Sequence, residues 1–219
     1  MVRVGRHLQG NRIHNIAISM IFEGEIARAR YSANREKKAK AAIEDGKSFW
    51  EKLDEFEQIS VLSYTDRNVC FMMNDHLWSG TPAPKDILDA IELLDQALQR
   101  ARLPADMVLC RGVNPSLWEI MKSDQRYQTP GKVFSSKGFT STTYDRATAW
   151  KYASEKAKDG DEIAIIEVLA PKGTPALSLE AHSYSPDDKE ILINRDTKFK
   201  VIEARKDGNV MRLIWEVVL

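Results

Sequence analysis

Two acidic residues stand two positions apart where an apolar run begins. Asp188 and Glu190 precede the apolar residues 191–193. In an extended chain, residues two apart point the same way, so the spacing predicts neighbouring carboxylates. Such a pair suits acid–base chemistry or the stabilisation of a positive charge. Acidic residues at the start of a strand are more often a plain solvated edge, so other motifs must decide between the two interpretations.

Two further polar motifs also adjoin apolar or β-prone segments. Arg111 and Gly112 follow the apolar run 107–110. A guanidinium there could bind a phosphate or carboxylate bidentately, and a glycine would let a ligand approach the backbone. Residues 141–143 place three hydroxyls in a β-prone segment. The structural alternatives are an ordinary salt bridge at a strand end for Arg111 and a solvated strand face for residues 141–143.

The histidines and cysteines form no recognisable catalytic or metal-binding set. The four histidines have no spacing typical of a triad or a metal site. The two cysteines lie in apolar runs, which predicts reduced core thiols. No GxxxxGK[ST] phosphate loop occurs. The sequence therefore predicts no bound metal and no kinase-type mechanism. The residues concerned are His7, His14, His76, His182, Cys70 and Cys110.

The composition predicts a folded chain without a nucleic-acid partner. The chain has 219 residues, of which 43% are hydrophobic and 29% charged. Lys+Arg and Asp+Glu are both 32, whereas nonspecific nucleic-acid binders normally have a basic excess. No apolar run approaches the ~20 residues of a membrane span, and the N-terminus lacks a signal-peptide pattern. We expect folding in the cytosol and, if the protein acts elsewhere, export by a route that needs no signal peptide.

The elements that would position the motifs fall into two groups. Helical composition and spacing cover about 21–58, 57–78 and 85–102. Short strands are predicted near 107–110, 139–143, 162–169, 190–193, 199–204 and 210–217, with a helix over 145–157. Helices followed by strands without regular alternation predict an α+β fold.

The order of the motifs resembles the Arg–Ser–Glu class of bacterial mono-ADP-ribosyltransferase toxins and effectors, with related phage enzymes. The stretch 103–113 resembles the family's first strand, and 138–143 resembles its Ser-Thr-Ser strand. The stretch 170–174 resembles the turn before the recognition loop. Residues 184–201 resemble the catalytic loop and the following strand. Four motifs in the right order make the resemblance specific, and it covers roughly 59–204.

This resemblance implies a fold and a substrate. The fold would have N-terminal helices packed on a mixed, mainly antiparallel two-sheet β core. Residues 1–58 would form a helical extension or lobe and 59–219 the catalytic domain, unless the two are one continuous domain. The substrate would be NAD, with no metal. The partner would be a target protein in a host or infected cell, reached by export, and the oligomeric state stays open.

The resemblance also implies roles for the motif residues. Arg111 would hold the pyrophosphate and adjacent ribose of NAD, and the backbone around Gly112 would hold the nicotinamide amide. Ser141 would hydrogen-bond and orient Glu190, while Thr143 would support the strand. Glu190 would bind the ribose 2′-hydroxyl and stabilise the oxocarbenium cation as nicotinamide departs.

The chain departs from the family pattern at two positions. Thr143 stands where the family often has serine, a mild change that keeps the hydroxyl. Asp188 stands where the family has Glu for arginine acceptors and Gln for asparagine or glutamine acceptors. That residue positions the acceptor, so NAD cleavage is better supported than the acceptor, for which arginine is favoured. Tyr184 in the same loop is either a contact for the target protein or a loop-packing aromatic.

Two other functions fit the same motifs. An NAD glycohydrolase would cleave NAD without modifying a protein. A non-catalytic interaction module would use Arg111, Ser141 and Glu190 only as structural residues and its helices as the binding surface.

Overall fold

The computed structural model describes residues 28–29 and 31–219. The first part of the helix predicted over 21–58, the two N-terminal histidines His7 and His14, and the segment considered for a signal peptide lie outside the described residues. No helix within the described part is long and apolar enough to cross a membrane.

Four helices precede the first strand between residues 35 and 106. They are α1 (Arg35–Trp50), α2 (Glu55–Tyr64), α3 (Arg67–Ser79) and α4 (Lys85–Arg100). The single helix predicted over 57–78 is wrong, because the chain breaks at Thr65 and Asp66. The Asp66 side chain accepts hydrogen bonds from the backbone N–H groups of Asn68 and Val69, and so starts a new helix.

Helix α4 buries the stripe that its spacing predicts. Its residues Ile87, Ile91, Leu94 and Leu98 are at most 7% exposed. They belong to one core cluster with residues of α2, of α3 and of the sheet. This packing places the N-terminal helices against one end of the sheet.

Eight strands form one mixed sheet, as the α+β prediction requires. The strand order is β2-β7-β8-β4-β1-β3-β6-β5, and only the β4–β8 pair is parallel. The strands are β1 (Met107–Val113), β2 (Val133–Ser135), β3 (Thr140–Thr143), β4 (Ile163–Ala170), β5 (Ala176–Ser178), β6 (Glu190–Ile193), β7 (Lys198–Asp207) and β8 (Val210–Val218). Helices α5 (Pro115–Lys122) and α6 (Arg146–Ala153) lie between strands.

The sheet is nearly divided between β1 and β3. Strand β1 pairs with β4 along its whole length, but it meets β3 only at Cys110 and Thr143. Both strands continue past that position without pairing with each other, so β1 and β3 separate there. The sheet therefore consists of two halves joined at one paired position, in agreement with the expected two-sheet core.

The larger hydrophobic core spans both halves. It contains an aromatic cluster of the five-strand half together with Ile191 and Ile193 of β6. In that cluster the rings of Phe134 and Trp215 lie 4.7 Å apart. The three-strand half packs against the N-terminal helices through Leu177 and Leu192. The two halves therefore share part of their core, and the gap between β1 and β3 positions the motif residues.

Candidate active site

The gap between the two halves brings together Arg111, Ser141 and Glu190. Arg111 lies on β1 just past the last paired position, and its Nη1 donates a 2.8 Å hydrogen bond to the Ser141 carbonyl oxygen. On the far side of β3, Thr143 pairs with Glu190 and Ser141 pairs with Leu192. Three motifs far apart in sequence thus meet at one place.

The Arg111 guanidinium retains donors for a ligand. The residue is partly exposed. The Arg111 side chain makes one hydrogen bond with the described residues, to the Ser141 carbonyl oxygen. A guanidinium carries five N–H donors in a planar fork. The remaining donors can bind an anion such as a phosphate.

Glu190 has an unusual carboxyl group. Burial of that group raises its pKa to about 7, and the neighbouring charge of Asp188 acts in the same direction. A hydrogen bond from Ser141 and the charge of Arg111 oppose the increase. A carboxylate with a raised pKa beside a cation is typical of a functional site.

A hydrogen-bond chain from the N-terminal helices reaches Ser141. Asn74 of α3 donates from Nδ2 to the Tyr64 hydroxyl oxygen at 2.9 Å. The Tyr64 hydroxyl lies 3.0 Å from Ser141 Oγ. Burial raises the pKa of Tyr64 well above its usual value, so the phenol keeps its proton. Tyr64 can therefore donate to Ser141, which leaves the Ser141 proton for Glu190.

The two threonines of the hydroxyl motif bond within the protein. The Thr142 hydroxyl donates to the Ile191 carbonyl oxygen at 2.5 Å. The Thr143 hydroxyl oxygen accepts from the Asp145 backbone N–H at 3.0 Å, next to the start of α6. Thr143 thus supports the end of the strand, and its contribution to NAD binding stays a prediction.

Gly112 is required by helix packing. A Cβ at this position would lie 1.9 Å from the Ala149 carbonyl oxygen and 2.7 Å from the Ala153 nitrogen. Both atoms belong to the backbone of α6, so the glycine lets that helix lie directly on β1. The role expected for Gly112 in binding nicotinamide stays a prediction.

Asp188 and Glu190 do not alternate along an extended strand. Residues Pro186–Asp188 form a 3₁₀ turn. Lys189 has φ 50°, in the left-handed region. The expectation of two parallel side chains on an extended chain is wrong, because the strand begins only at Glu190. The two carboxylates remain close enough for the charge of Asp188 to raise the pKa of Glu190.

Two helices anchor the loop that carries these carboxylates. The Trp50 indole of α1 stacks on the His182 ring with centroids 4.2 Å apart and planes 7° apart. The Tyr184 backbone N–H donates to Thr65 Oγ1 at 3.1 Å. The Tyr184 residue is 66% exposed, and its contact with a target protein stays a prediction.

The structure brings together Arg111, Ser141, Asp188 and Glu190, whose site roles stay predictions, and adds helical residues that the sequence did not indicate. Tyr64, Asn74 and Trp50 reach the site only through tertiary packing. A buried tyrosine with a polar residue ten positions later is too common a pattern to indicate a site.

Comparison with known proteins agrees with this geometry. The model of the ADP-ribosyltransferase exoenzyme family matches residues 40–219. An NAD(+)–arginine ADP-ribosyltransferase of Enterococcus faecalis is 24% identical over 148 residues, 66% of this chain. The match covers 28% of that relative, so the chain spans about a quarter of its length.

Solved structures share the fold. An ADP-ribosyltransferase toxin of Paenibacillus larvae superposes with a TM-score of 0.66 at 22% identity, over 85% of this chain and 97% of that one. The Vis toxin of Vibrio splendidus, also an ADP-ribosyltransferase, gives 0.61 at 18% identity, over 84% of this chain and 83% of that one. Since the family model matches most of the residues, the chain belongs to the ADP-ribosyltransferase exoenzyme family.

Proposed function

We propose that the chain cleaves NAD and transfers its ADP-ribose to an arginine side chain of a protein. The observation that carries this proposal is the meeting of Arg111, Ser141 and Glu190 at the gap between the half-sheets. Membership of the exoenzyme family supports the reaction. The Enterococcus relative, named an NAD(+)–arginine ADP-ribosyltransferase, supports the acceptor.

Arg111 is the proposed anchor for NAD. Its free guanidinium donors match the paired oxygens of a pyrophosphate. The bond to the Ser141 carbonyl oxygen holds the side chain beside β3. We assign Gly112 and Thr143 to the same binding region, Gly112 through its backbone and Thr143 as a support of the strand.

Glu190 is the proposed catalytic carboxylate. When the bond between ribose C1′ and the nicotinamide nitrogen breaks, its electron pair leaves with nicotinamide and positive charge develops on the ribose. A fixed carboxylate beside that charge stabilises the transition state. Ser141 and the Tyr64 hydroxyl behind it keep the Glu190 carboxylate in place.

Asp188 is the proposed group that receives the acceptor. A guanidino nitrogen of the acceptor forms the new bond to C1′ and releases one proton, which Asp188 can accept. If water attacks in place of the guanidino group, the products are free ADP-ribose, nicotinamide and a proton. That outcome is the NAD glycohydrolase alternative.

We further propose one continuous catalytic unit that acts on a protein of a host or infected cell after export. Trp50 of α1 lies within 1–58 and stacks on His182 in the loop before Glu190, which favours one unit over a separate lobe. The family's name as exoenzymes supports export.

The test is incubation with adenine-tagged NAD in host-cell lysate, followed by mass spectrometry of the labelled side chain. Wild type is expected to release nicotinamide and label arginine. Glu190→Gln is expected to lower release by about 10²–10³-fold. Release without a protein adduct would select the glycohydrolase, and no release at all would exclude both reactions.

A further inference from the structure

The acceptor position carries contacts that the proposed reaction leaves unexplained. The Asp188 carboxylate accepts a hydrogen bond from the Tyr152 hydroxyl through Oδ2. The other oxygen, Oδ1, lies 3.6 Å from Lys151 Nζ. Both partners belong to α6, the helix that packs closely against β1 at Gly112.

We propose that Tyr152 is a positioning residue that holds Asp188 toward the acceptor and thereby favours a guanidino group over water. This inference rests on the proposed function, since it concerns which nucleophile captures the ADP-ribosyl cation.

The first argument concerns the short side chain of Asp188 and the contacts that hold it. Aspartate is one methylene shorter than glutamate, and Asp188 lies in a 3₁₀ turn rather than in the strand. Its side chain is 17% exposed. Its carboxylate contacts among the described residues are those with Tyr152 and Lys151. Without Tyr152 the short carboxylate would lose its hydrogen bond and would keep only the exposed Lys151 and the charge of Arg67.

The second argument is the unequal strength of the two contacts. The Lys151 side chain is 72% exposed, and its nitrogen is 3.6 Å away, so this ion pair is weak. A guanidino group can replace the lysine at Oδ1. The Tyr152 phenol retains its proton at neutral pH, because burial and Asp188 both raise its pKa. It can therefore stay bonded to Oδ2 while the acceptor binds.

The chemistry makes this role measurable. Transfer and hydrolysis each consume one NAD and release one nicotinamide and one proton. They differ in the new bond to C1′, which is C–N with a guanidino acceptor and C–O with water. The ratio of the two products therefore reports on Asp188 separately from the steps that break NAD.

The experiment uses the full chain, NAD and agmatine as a guanidino probe. In Tyr152→Phe, the ratio of agmatine adduct to free ADP-ribose is expected to fall about tenfold, the size expected for a lost bond to a charged group. The KM for NAD is expected to stay within about twofold.

Tyr144→Phe is the matched control. The Tyr144 hydroxyl also donates to a carboxylate, that of Glu180, and burial also raises its pKa. Its removal is expected to leave the product ratio unchanged.

A double variant tests whether Tyr152 acts through Asp188. Tyr152→Phe added to Asp188→Ala should not lower the ratio further, because the two changes remove one interaction. An unchanged ratio in Tyr152→Phe, or a further decrease in the double variant, would overturn the positioning role. A wild-type chain that releases no nicotinamide would instead overturn the proposed function, and this inference with it.

Discussion

The Glu190 carboxylate lowers the folding stability of the protein and is also the proposed catalytic group. Glu190 is half-buried near Asp188, and desolvation of its carboxyl group raises the pKa to about 7. A carboxylate held in such surroundings is poorly solvated and is available to stabilise a neighbouring cation. The arrangement therefore reduces the stability of the free protein at neutral pH.

The contribution of Glu190 to stability should decrease between about pH 4.5 and pH 7. The folded protein retains the Glu190 proton that the unfolded chain loses near pH 4.5, so this contribution to the unfolding free energy falls over the interval and is level above it. Glu190→Gln removes this dependence. Its stability relative to wild type should increase by roughly 1–3 kcal/mol from pH 5 to pH 8, as urea denaturation at both pH values would measure.

Glu36→Gln serves as the control, since Glu36 is exposed on α1. The change with pH in the relative stability of Glu190→Gln should exceed that of Glu36→Gln. An equal change in the two variants would contradict the raised pKa of Glu190.

At the scale of elements, helix α6 connects the proposed NAD-binding and acceptor residues. It lies against Gly112 of β1 through its backbone, and it carries Tyr152 and Lys151 beside Asp188. A displacement of this helix would move both sides of the candidate site together.

Gly112→Ala should destabilise the chain by about 3 kcal/mol or more. The new Cβ would meet backbone atoms of α6 at 1.9 and 2.7 Å, and neither is the end of a flexible side chain, so the helix must shift. Thermal and urea unfolding would measure the loss.

Gly208→Ala separates packing from backbone strain. Gly208 has φ +61° and open space around it, so alanine there should cost about 1–2 kcal/mol from conformation alone. A fully stable Gly112→Ala would contradict the packing role. A stable variant that no longer cleaves NAD would favour the ligand-binding role that the sequence suggests.

Local sequence patterns predict some of these elements and contacts but not others. The α4 stripe and the strands have local periodicity, so the α+β order was predictable. Arg111, Ser141 and Glu190 are singled out by the order of their motifs and its resemblance to a family, and the structure places them together. The break at Asp66 is not predicted because apolar residues at helical spacing lie on both sides of it, which hides the helix-start role of the Asp66 side chain. Tyr64 and Tyr152 were missed because their partners lie 77 and 36 positions away, and no local pattern encodes such contacts.

At the scale of the whole molecule, the N-terminal helices and the sheet form the candidate site jointly. The helices supply Tyr64 and Asn74 behind Ser141. They also supply Trp50 and Thr65 to the loop before Glu190. The candidate site therefore depends on the docking of two layers.

Trp50→Ala tests that dependence. Loss of the stack on His182 removes about 0.5–1.5 kcal/mol beyond the area buried, and it frees the loop at 180–188 from α1. Amide hydrogen exchange in this loop should become faster, and nicotinamide release should decrease several-fold. Global stability should change by only about 1–2 kcal/mol.

Phe56→Ala provides the comparison, because Phe56 is an aromatic residue on α2 that is 68% exposed. It should change neither loop exchange nor nicotinamide release. If Trp50→Ala left exchange at 180–188 unchanged, the loop would owe its order to the sheet alone. If exchange became faster while release stayed at the wild-type rate, the anchoring would be structural and would not contribute to NAD cleavage.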